Sequence, residues 1–567
     1  MSLAPSELLA GRRLLLTGAT GFLGKVWLAH LLEHLPETEL VLVVRPGGGR
    51  AEPDERARRR LIDLLETSPA FRALHERLGA EELARRVAAR VRVLAGDVGA
   101  PRLGLGEQEL GPLDLVVHVA GLTDLDPELG PALDVNVQGA LEALELAREA
   151  GAQLVHVSTA YVAGRRRGRI AEQIEGDAPA APRGASFDAA QELADLRALE
   201  ASLRDELRDP RVAAELRERA EAARRRLGLE LSALERLERR EREEHLARRG
   251  GAEGRARAKA WGWPNLYTET KALAEALLAE QRGGVALTVV RPTIVEAAWR
   301  DPFPGWNEGL HTSAPLTYAL THGPLRALPA RAELVLDVVP VDEVARGLSL
   351  ACAAALEQPP SEPRVLHLGS STSNPFSLRR VIELTALARR TPREGAFQAR
   401  ELLELDASAG GEPLYRAQVP WARRLIGGSG RALGELAEAL GGEAHSQGLR
   451  ARAARRLAGV ARRASKAERG LRKVEEAVDR FRPFVAEHEH VFVSEAVEGL
   501  SARLAEGERG RFGWGVPGLD WGAFWPEVQL PGLETWVYPR LEGRRPPREP
   551  RRPLPALNSD PAADRLS

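Results

Sequence analysis

The run Leu14-Leu15-Leu16 is too short for a helix and too apolar for a surface loop. It stops at Thr17-Gly18-Ala19-Thr20-Gly21, and an apolar helical pattern resumes from Val26 to Leu35. Buried strand, glycine turn and helix, in that order, are what a doubly wound α/β fold uses to hold a dinucleotide. Gly18 permits the tight turn, Gly21 lets backbone approach a pyrophosphate, and Gly24 lets helix and strand pack closely. Free N–H groups at the helix start then favour the anion. The spacing is Gly-x-x-Gly-x-x-Gly rather than Gly-x-Gly-x-x-Gly, so a plain strand-to-helix turn is the alternative reading of the glycines alone.

The alternation continues. Glu39–Arg45 reads as the second strand, and its last residue falls where an acid would bond the 2′-hydroxyl of an adenosine ribose. Arg45 stands there instead, and its fork of donors suits a 2′-phosphate, which points to NADPH. A solvated arginine at a strand end is the competing reading. Residues 50–90 form a charged, helical crossover. Strand Val91–Ala95 ends in Gly96-Asp97-Val98, where Asp97 can accept from an adenine amino group. Strand Leu115–Val119 ends in Ala120-Gly121, small enough to pass beneath a cofactor. A helix around Asn136–Ala147 leads to strand Leu154–Val157 and then Ser158-Thr159. Strands alternating with helices predict a doubly wound parallel sheet of Rossmann type.

From about Arg165 to Gly262 the pattern becomes Arg, Glu, Ala and Leu, with leucines such as Leu227, Leu229, Leu231, Leu234 and Leu237 at close spacing. This predicts an inserted hairpin of amphipathic helices. It is either a solvated structural insertion, a cover over the site, or a surface touching lipid. The α/β pattern returns at Leu266, with strands expected at Ala286–Val290, Leu334–Val339 and Arg364–Leu368. Beyond Pro375 the chain reads as mostly helical, then crowds aromatics from Phe481 to Trp536 into what looks like a docking segment. Residues 541–567, rich in Pro and Arg, predict disorder.

The net charge of −1 argues against nucleic acid as a partner. Cys352 is the lone cysteine, which excludes an intramolecular disulfide and most zinc sites, and no metal is expected. It reads as a core residue. No apolar run approaches the ~20 residues of a membrane span. The expectation is a soluble, cytoplasmic protein with at most weak peripheral membrane contact. The sequence does not indicate an oligomeric state.

Tyr267 and Lys271 are spaced to share one helix face. Chance gives well under one such pair in a chain with five Tyr and five Lys. A phenol titrates near ~10, and a neighbouring ammonium favours its ionised form. The same lysine can hold a nicotinamide ribose. Thr159, or Ser158 beside it, can bond a substrate carbonyl while Tyr267 supplies a proton to the developing oxyanion.

Together, TGATGFLGK, HVSTAYV, YTETKALAE, VVRPTIVEAAWRDPFPGW and SNPFSLRRVIEL resemble an extended short-chain dehydrogenase/reductase. Within that superfamily they resemble the fatty acyl-CoA reductases, the male-sterility group, with the closest likeness to bacterial alcohol-forming members. The resemblance covers about residues 10–390, and LDWGAFWPEVQLPGL more faintly. Its departure is the 108-residue separation of Thr159 and Tyr267, far longer than in sugar-nucleotide members.

The resemblance implies Thr159, Tyr267 and Lys271 as catalytic residues. Around NADPH it expects Gly18, Thr20, Gly21, Phe22, Leu23, Gly24, Arg45, Asp97, Val98, Ala120, Gly121, Pro292 and Ile294, with Tyr267 and Lys271. Residues 10–370 form the cofactor domain with insertion 165–262, residues 371–540 a mainly helical substrate domain, and 541–567 a disordered tail. The implied substrate is a long-chain acyl-CoA or acyl-carrier-protein thioester, reduced to aldehyde and then to primary alcohol. Trp299, Phe303, Trp306 and Leu310 are placed to line an apolar groove, or else are ordinary packing residues. An aldehyde-forming thioester reductase, a nucleotide-sugar reductase or epimerase, and a nucleotide-binding regulator are the competing readings.

Overall fold

In the computed structural model, which describes residues 2–182, 185–310, 312–321, 328–390, 411–441, 449–484 and 489–558, seven parallel strands form one sheet. They are β1 (Arg13–Thr17), β2 (Glu39–Val44), β3 (Val91–Ala95), β4 (Leu115–His118), β5 (Gln153–Val157), β6 (Leu287–Pro292) and β7 (Arg364–Leu368). Their order is β7-β6-β5-β4-β1-β2-β3. Leu14, Leu15 and Leu16 are buried on both sheet faces, which is why β1 is a continuous apolar run rather than an alternating one. It pairs with β2 through Leu16↔Leu42 and with β4 through Leu16↔Val117. After β3 the chain returns to β4, on the other side of β1. The order reverses there, and the loops leaving the carboxyl ends of β1 and β4 part to open a crevice.

The helices used below are α1 (Phe22–His34), α2 (Pro53–Thr67), α3 (Arg72–Arg90), α4 (Gly139–Glu149), α5 (Ala189–Glu206), α6 (Pro210–Leu227), α7 (Leu234–Ala260), α8 (Leu266–Gln281), α9 (Val341–Glu357), α10 (Ala422–Gly441) and α11 (Leu449–Arg482). α1 and α9 pack together under the sheet, and Trp27 Nε1 donates to Ser349 Oγ at 3.1 Å. Cys352 is fully buried in α9, a core residue as read. α8 starts where Asn265 caps it, its Oδ1 accepting from the Thr268 N–H at 3.0 Å.

The insertion is a set of helices, α5 to α7, behind α8. Leu196 packs with Leu129, Leu133, Leu266, Leu273 and Leu277, while Leu234 and Leu237 bury against Ala220. Leu227, Leu229 and Leu231 lie exposed at the tip. The expected strand Leu334–Val339 narrows to Val338–Pro340, paired with Ile294–Glu296.

The aromatic-rich segment docks on the chain's own core. Phe512, Trp514, Trp536 and Tyr538 join the cluster of Leu14, Trp27 and Leu368, while Phe492, Trp521 and Trp525 join that of Tyr161 and Phe376. The expected disorder of 541–567 is corrected for its described part. Leu554 and Leu557 are buried, the Leu554 N–H donates to Glu66 at 2.7 Å, and Arg551 pairs with Glu66 and Asp63. Composition misled because the two leucines and the arginines find a buried acid on α2. Residues 559–567 lie outside the described residues.

Candidate active site

A cavity of about 540 Å³ opens at the carboxyl ends of β1, β4, β5 and β6. Every residue expected at the cofactor or the reacting carbon lines it: Gly18, Thr20, Gly21, Phe22, Leu23, Gly24, Arg45, Asp97, Val98, Ala120, Gly121, Thr159, Tyr267, Lys271, Pro292 and Ile294.

The glycines are required by space. Gly18 has φ +78°, and a Cβ there would lie 2.6 Å from the Ala120 nitrogen. One on Gly24 would lie 2.0 Å from the Gly18 carbonyl oxygen. Gly21 caps α1 with no side chain, which leaves the first N–H groups of that helix for an anion. Thr17 joins the two splayed strand ends, its hydroxyl 3.1 Å from His118 Nδ1 and accepting from the Ala120 N–H at 3.2 Å. Arg45 is exposed at the cavity edge, with no acidic partner among the described residues. Asp97 uses Oδ1 to accept from the Gly99 N–H.

On the other side, Tyr267 and Lys271 face the cavity from one side of α8. Thr159 lines the same cavity, its Oγ1 accepting from the Tyr161 N–H at 3.3 Å and donating to the Pro292 carbonyl at 3.5 Å. Ser158 Oγ is buried with no partner among the described residues. Lys271 Nζ donates to the Val157 carbonyl at 3.0 Å. The expected lowering of the phenol by the ammonium is not seen. Burial pushes Tyr267 up to about 12, with neighbouring Thr159 opposing, and burial pushes Lys271 down to about 8. His118 and His156 stack on each other with ring centroids 5.5 Å apart, and burial, with Lys271 nearby, lowers the His118 pKa to about 3 and keeps it neutral.

Several lining or supporting residues escaped the sequence reading. Asn136 Oδ1 accepts from the Leu122 N–H at 2.8 Å, and its Nδ2 donates to Thr270 Oγ1 at 3.1 Å, so it ties the Gly121 loop to α8. Lys25 pairs with Glu308 at the cavity wall. The apolar end is lined by Leu125, Tyr161, Leu310, Phe481 and Phe484. Of the four residues placed on an apolar groove, only Leu310 lines the cavity. Trp306 is fully buried against Phe22, Phe303 packs on Trp536 under the Arg72 guanidinium, and Trp299 carries the Arg300 guanidinium. The segment folds back on its neighbours, so its aromatics are packing residues.

No described residue of 165–262 lines the cavity, so of the three readings of the insertion the cover finds no support in those residues. Instead α5 and α7 brace the far side of α8. Glu269 there is buried with both oxygens unpartnered among the described residues, and burial raises its pKa well above the usual carboxylate range.

The sequence pattern of the family described as Male sterility protein matches residues 16–348. The chain is 29% identical over 387 residues to "Probable fatty acyl-CoA reductase 4" of Arabidopsis thaliana, covering 67% of this chain and 71% of that one. It is 29% identical over 397 residues to "Alcohol-forming fatty acyl-CoA reductase" of Simmondsia chinensis, covering 67% and 70%. It is 30% identical over 403 residues to "Probable fatty acyl-CoA reductase 5" of Arabidopsis thaliana, covering 68% and 71%. Among solved structures, the terminal R domain from the myxalamid PKS-NRPS biosynthetic pathway is similar with a TM-score of 0.44 at 17% identity, over 87% of this chain and 85% of that chain.

Proposed function

The chain belongs to the male sterility protein family of fatty acyl-CoA reductases, and on that premise we propose that it reduces a fatty acyl-CoA to the aldehyde and on to the primary alcohol. A nicotinamide cofactor supplies hydride. Gly18, Gly21 and Gly24 would leave room for its pyrophosphate at the start of α1, and Lys271, which lines the same cavity, would hold its ribose. The Arg45 guanidinium, exposed with no acidic partner among the described residues, supports NADPH as the form used.

The observation that carries the reading is that Tyr267, Lys271 and Thr159 all line the same cavity as the glycine turn. Thr159, with Ser158 beside it, holds the carbonyl oxygen of the thioester. As the acyl carbon takes hydride, Tyr267 gives its proton to that oxygen. The hemithioacetal then breaks its C–S bond, releases the thiol and leaves an aldehyde. A second round at the same residues, with hydride to carbon and the Tyr267 proton to oxygen, gives the alcohol. A phenol lifted to about 12 is fully protonated at neutral pH and so is charged with the proton it must give.

Leu125, Phe481 and Phe484 at the far end support a long acyl chain as the group bound and argue against a nucleotide sugar. We assign the substrate side to residues 371–540, which supply both phenylalanines. No described helix is long and apolar enough to cross a membrane; a cytoplasmic location with peripheral contact is part of this proposal. The deciding experiment is cofactor oxidised per thiol released from a long-chain acyl-CoA. Two equivalents of NADPH per thiol are expected; one equivalent, with aldehyde accumulating, limits the enzyme to the first reduction.

A further inference from the structure

We propose that Lys25 is a positioning residue for the bound cofactor: through Glu308 it latches the turn of residues 305–310 over the start of α1, and so sets the rate at which cofactor leaves. Lys25 is the fourth residue of α1 and directly follows Gly24. It is 5% exposed and stands near the positive end of the helix dipole, two circumstances that disfavour a cation. Burial lowers its pKa, with Glu308 opposing and Arg540 adding to the shift. Among the described residues, its acidic partner is Glu308. Lys25 itself does not line the cavity, whereas Glu308 does, together with Gly18, Gly21 and Gly24.

The turn is carried by the far end of the chain. Gly305, at φ +84°, meets Gly532 so closely that a Cβ on Gly532 would lie 2.0 Å from the Gly305 carbonyl oxygen. Just beyond the turn, the Ser313 N–H donates to the buried Glu296 at 2.8 Å, and Glu296 also accepts from Gln529 Nε2. Arg540 donates to the Glu308 carbonyl at 3.3 Å. The middle of the turn reaches the other way. Trp306 packs on Phe22 with ring centroids 5.2 Å apart, and a Cβ on Gly309 would lie 3.6 Å from the Phe22 ring. Phe22 is the first residue of α1, so the turn lies against the helix end that the glycines open. The Lys25–Glu308 ion pair joins the two.

The pair meets two needs of a dinucleotide site. A pyrophosphate at the first N–H groups of α1 brings negative charge towards the Glu308 carboxylate, and Lys25 neutralises that carboxylate so that both anions can stay. The same pair keeps the turn closed on the cofactor. Leu310, at the end of the turn, lines the apolar end of the cavity, so one short segment borders both halves of the site. Reduction of a thioester to an alcohol consumes two cofactors, and the latch therefore opens between the two hydride transfers. That consequence rests on the fatty acyl reading; the latch rests only on a nicotinamide cofactor binding at the glycine turn.

The test is the dissociation rate of NADPH from the full chain, followed by stopped-flow fluorescence without acyl substrate. Lys25→Met and Glu308→Gln should each raise it by about tenfold or more, and the double variant should be no faster than the faster single one. Lys25→Glu with Glu308→Lys, which reverses the pair, should bring the rate back towards that of wild type. If Lys25→Met costs folding, Glu308→Gln at the cavity wall decides alone. A purely neutralising role for Lys25 predicts the opposite for Glu308→Gln, since losing the carboxylate removes repulsion and frees the ammonium for the phosphates. Unchanged or slower release from Glu308→Gln therefore overturns the latch, and so does simple additivity of the two single effects. Either result, with NADPH still bound by wild type, leaves the cofactor reading standing. A wild type that binds neither NADPH nor NADH overturns both.

Discussion

At the scale of single residues, the cofactor preference turns on Arg45. Arg45→Asp should weaken NADPH by about 100-fold, the loss of a charge-assisted fork and the gain of repulsion, while NADH binding changes little. Fluorescence titration with the two cofactors measures it. Tyr267→Phe should lower kcat by at least about 1000-fold with NADPH affinity retained, since the ring still packs and only the proton is removed. Lys271 is a cation below its lowered pKa of about 8 and neutral above it. Turnover that relies on the ammonium should therefore fall as pH rises through about 8, and Lys271→Arg should move that alkaline limb upward if it remains active. Pre-steady-state rates across pH 6–10 would show it. These residues were legible because each depends on local spacing: three glycines in one turn, two side chains on one helix face. Asn136 was not, since its bonds to Leu122 and Thr270 join loops that the sequence separates.

At the scale of elements, the reading of strands and helices held because the inner strands of the sheet are buried on both sides and so write themselves as apolar runs, while the edge strand β3 keeps Arg92 exposed between apolar neighbours. Direction within loops was harder to read. Trp306 has the composition of a binding wall, yet points into the protein, and the same letters serve either use. The site's apolar wall comes from residues 481–484, more than two hundred residues beyond Tyr267, and no local pattern announces such a contact. Phe484 packs edge-on to Tyr161 at 4.8 Å, at the inner end of that wall. Phe484→Ala should raise KM for long-chain acyl-CoA by about tenfold and leave short chains nearly unchanged. A chain-length series of initial rates checks it. The insertion has a different task. Arg257 holds the nearly fully buried Glu192, which also accepts from Trp261, so α5 and α7 form a charged brace behind the helix that carries Tyr267 and Lys271.

At the scale of the whole molecule, the last described residues are structural. Glu66 is buried and draws its partners from Arg551 and the Leu554 N–H. Ending the chain after Arg544 would strip those partners and expose the sites of Leu554 and Leu557. The expected loss is about 4 kcal/mol or more, read as a lower midpoint in urea unfolding. Restoring the tail as a separate peptide should recover part of it.

The chain's beginning is tied to its end in the same way: the Leu3 N–H donates to the Arg503 carbonyl, the Ala505 N–H donates to that of Leu3, and the Ser6 hydroxyl donates to Glu508. This has a consequence for synthesis. At ordinary translation speeds, about half a minute to two minutes separate the first residues from the partners that fix them. Through that interval the nascent sheet lacks Phe512, Trp514 and Trp536, and its apolar flank stays wet. A ribosome-bound chain stalled before residue 490 should accordingly be protease-sensitive in its first 370 residues, and should become resistant once residue 557 has cleared the exit tunnel.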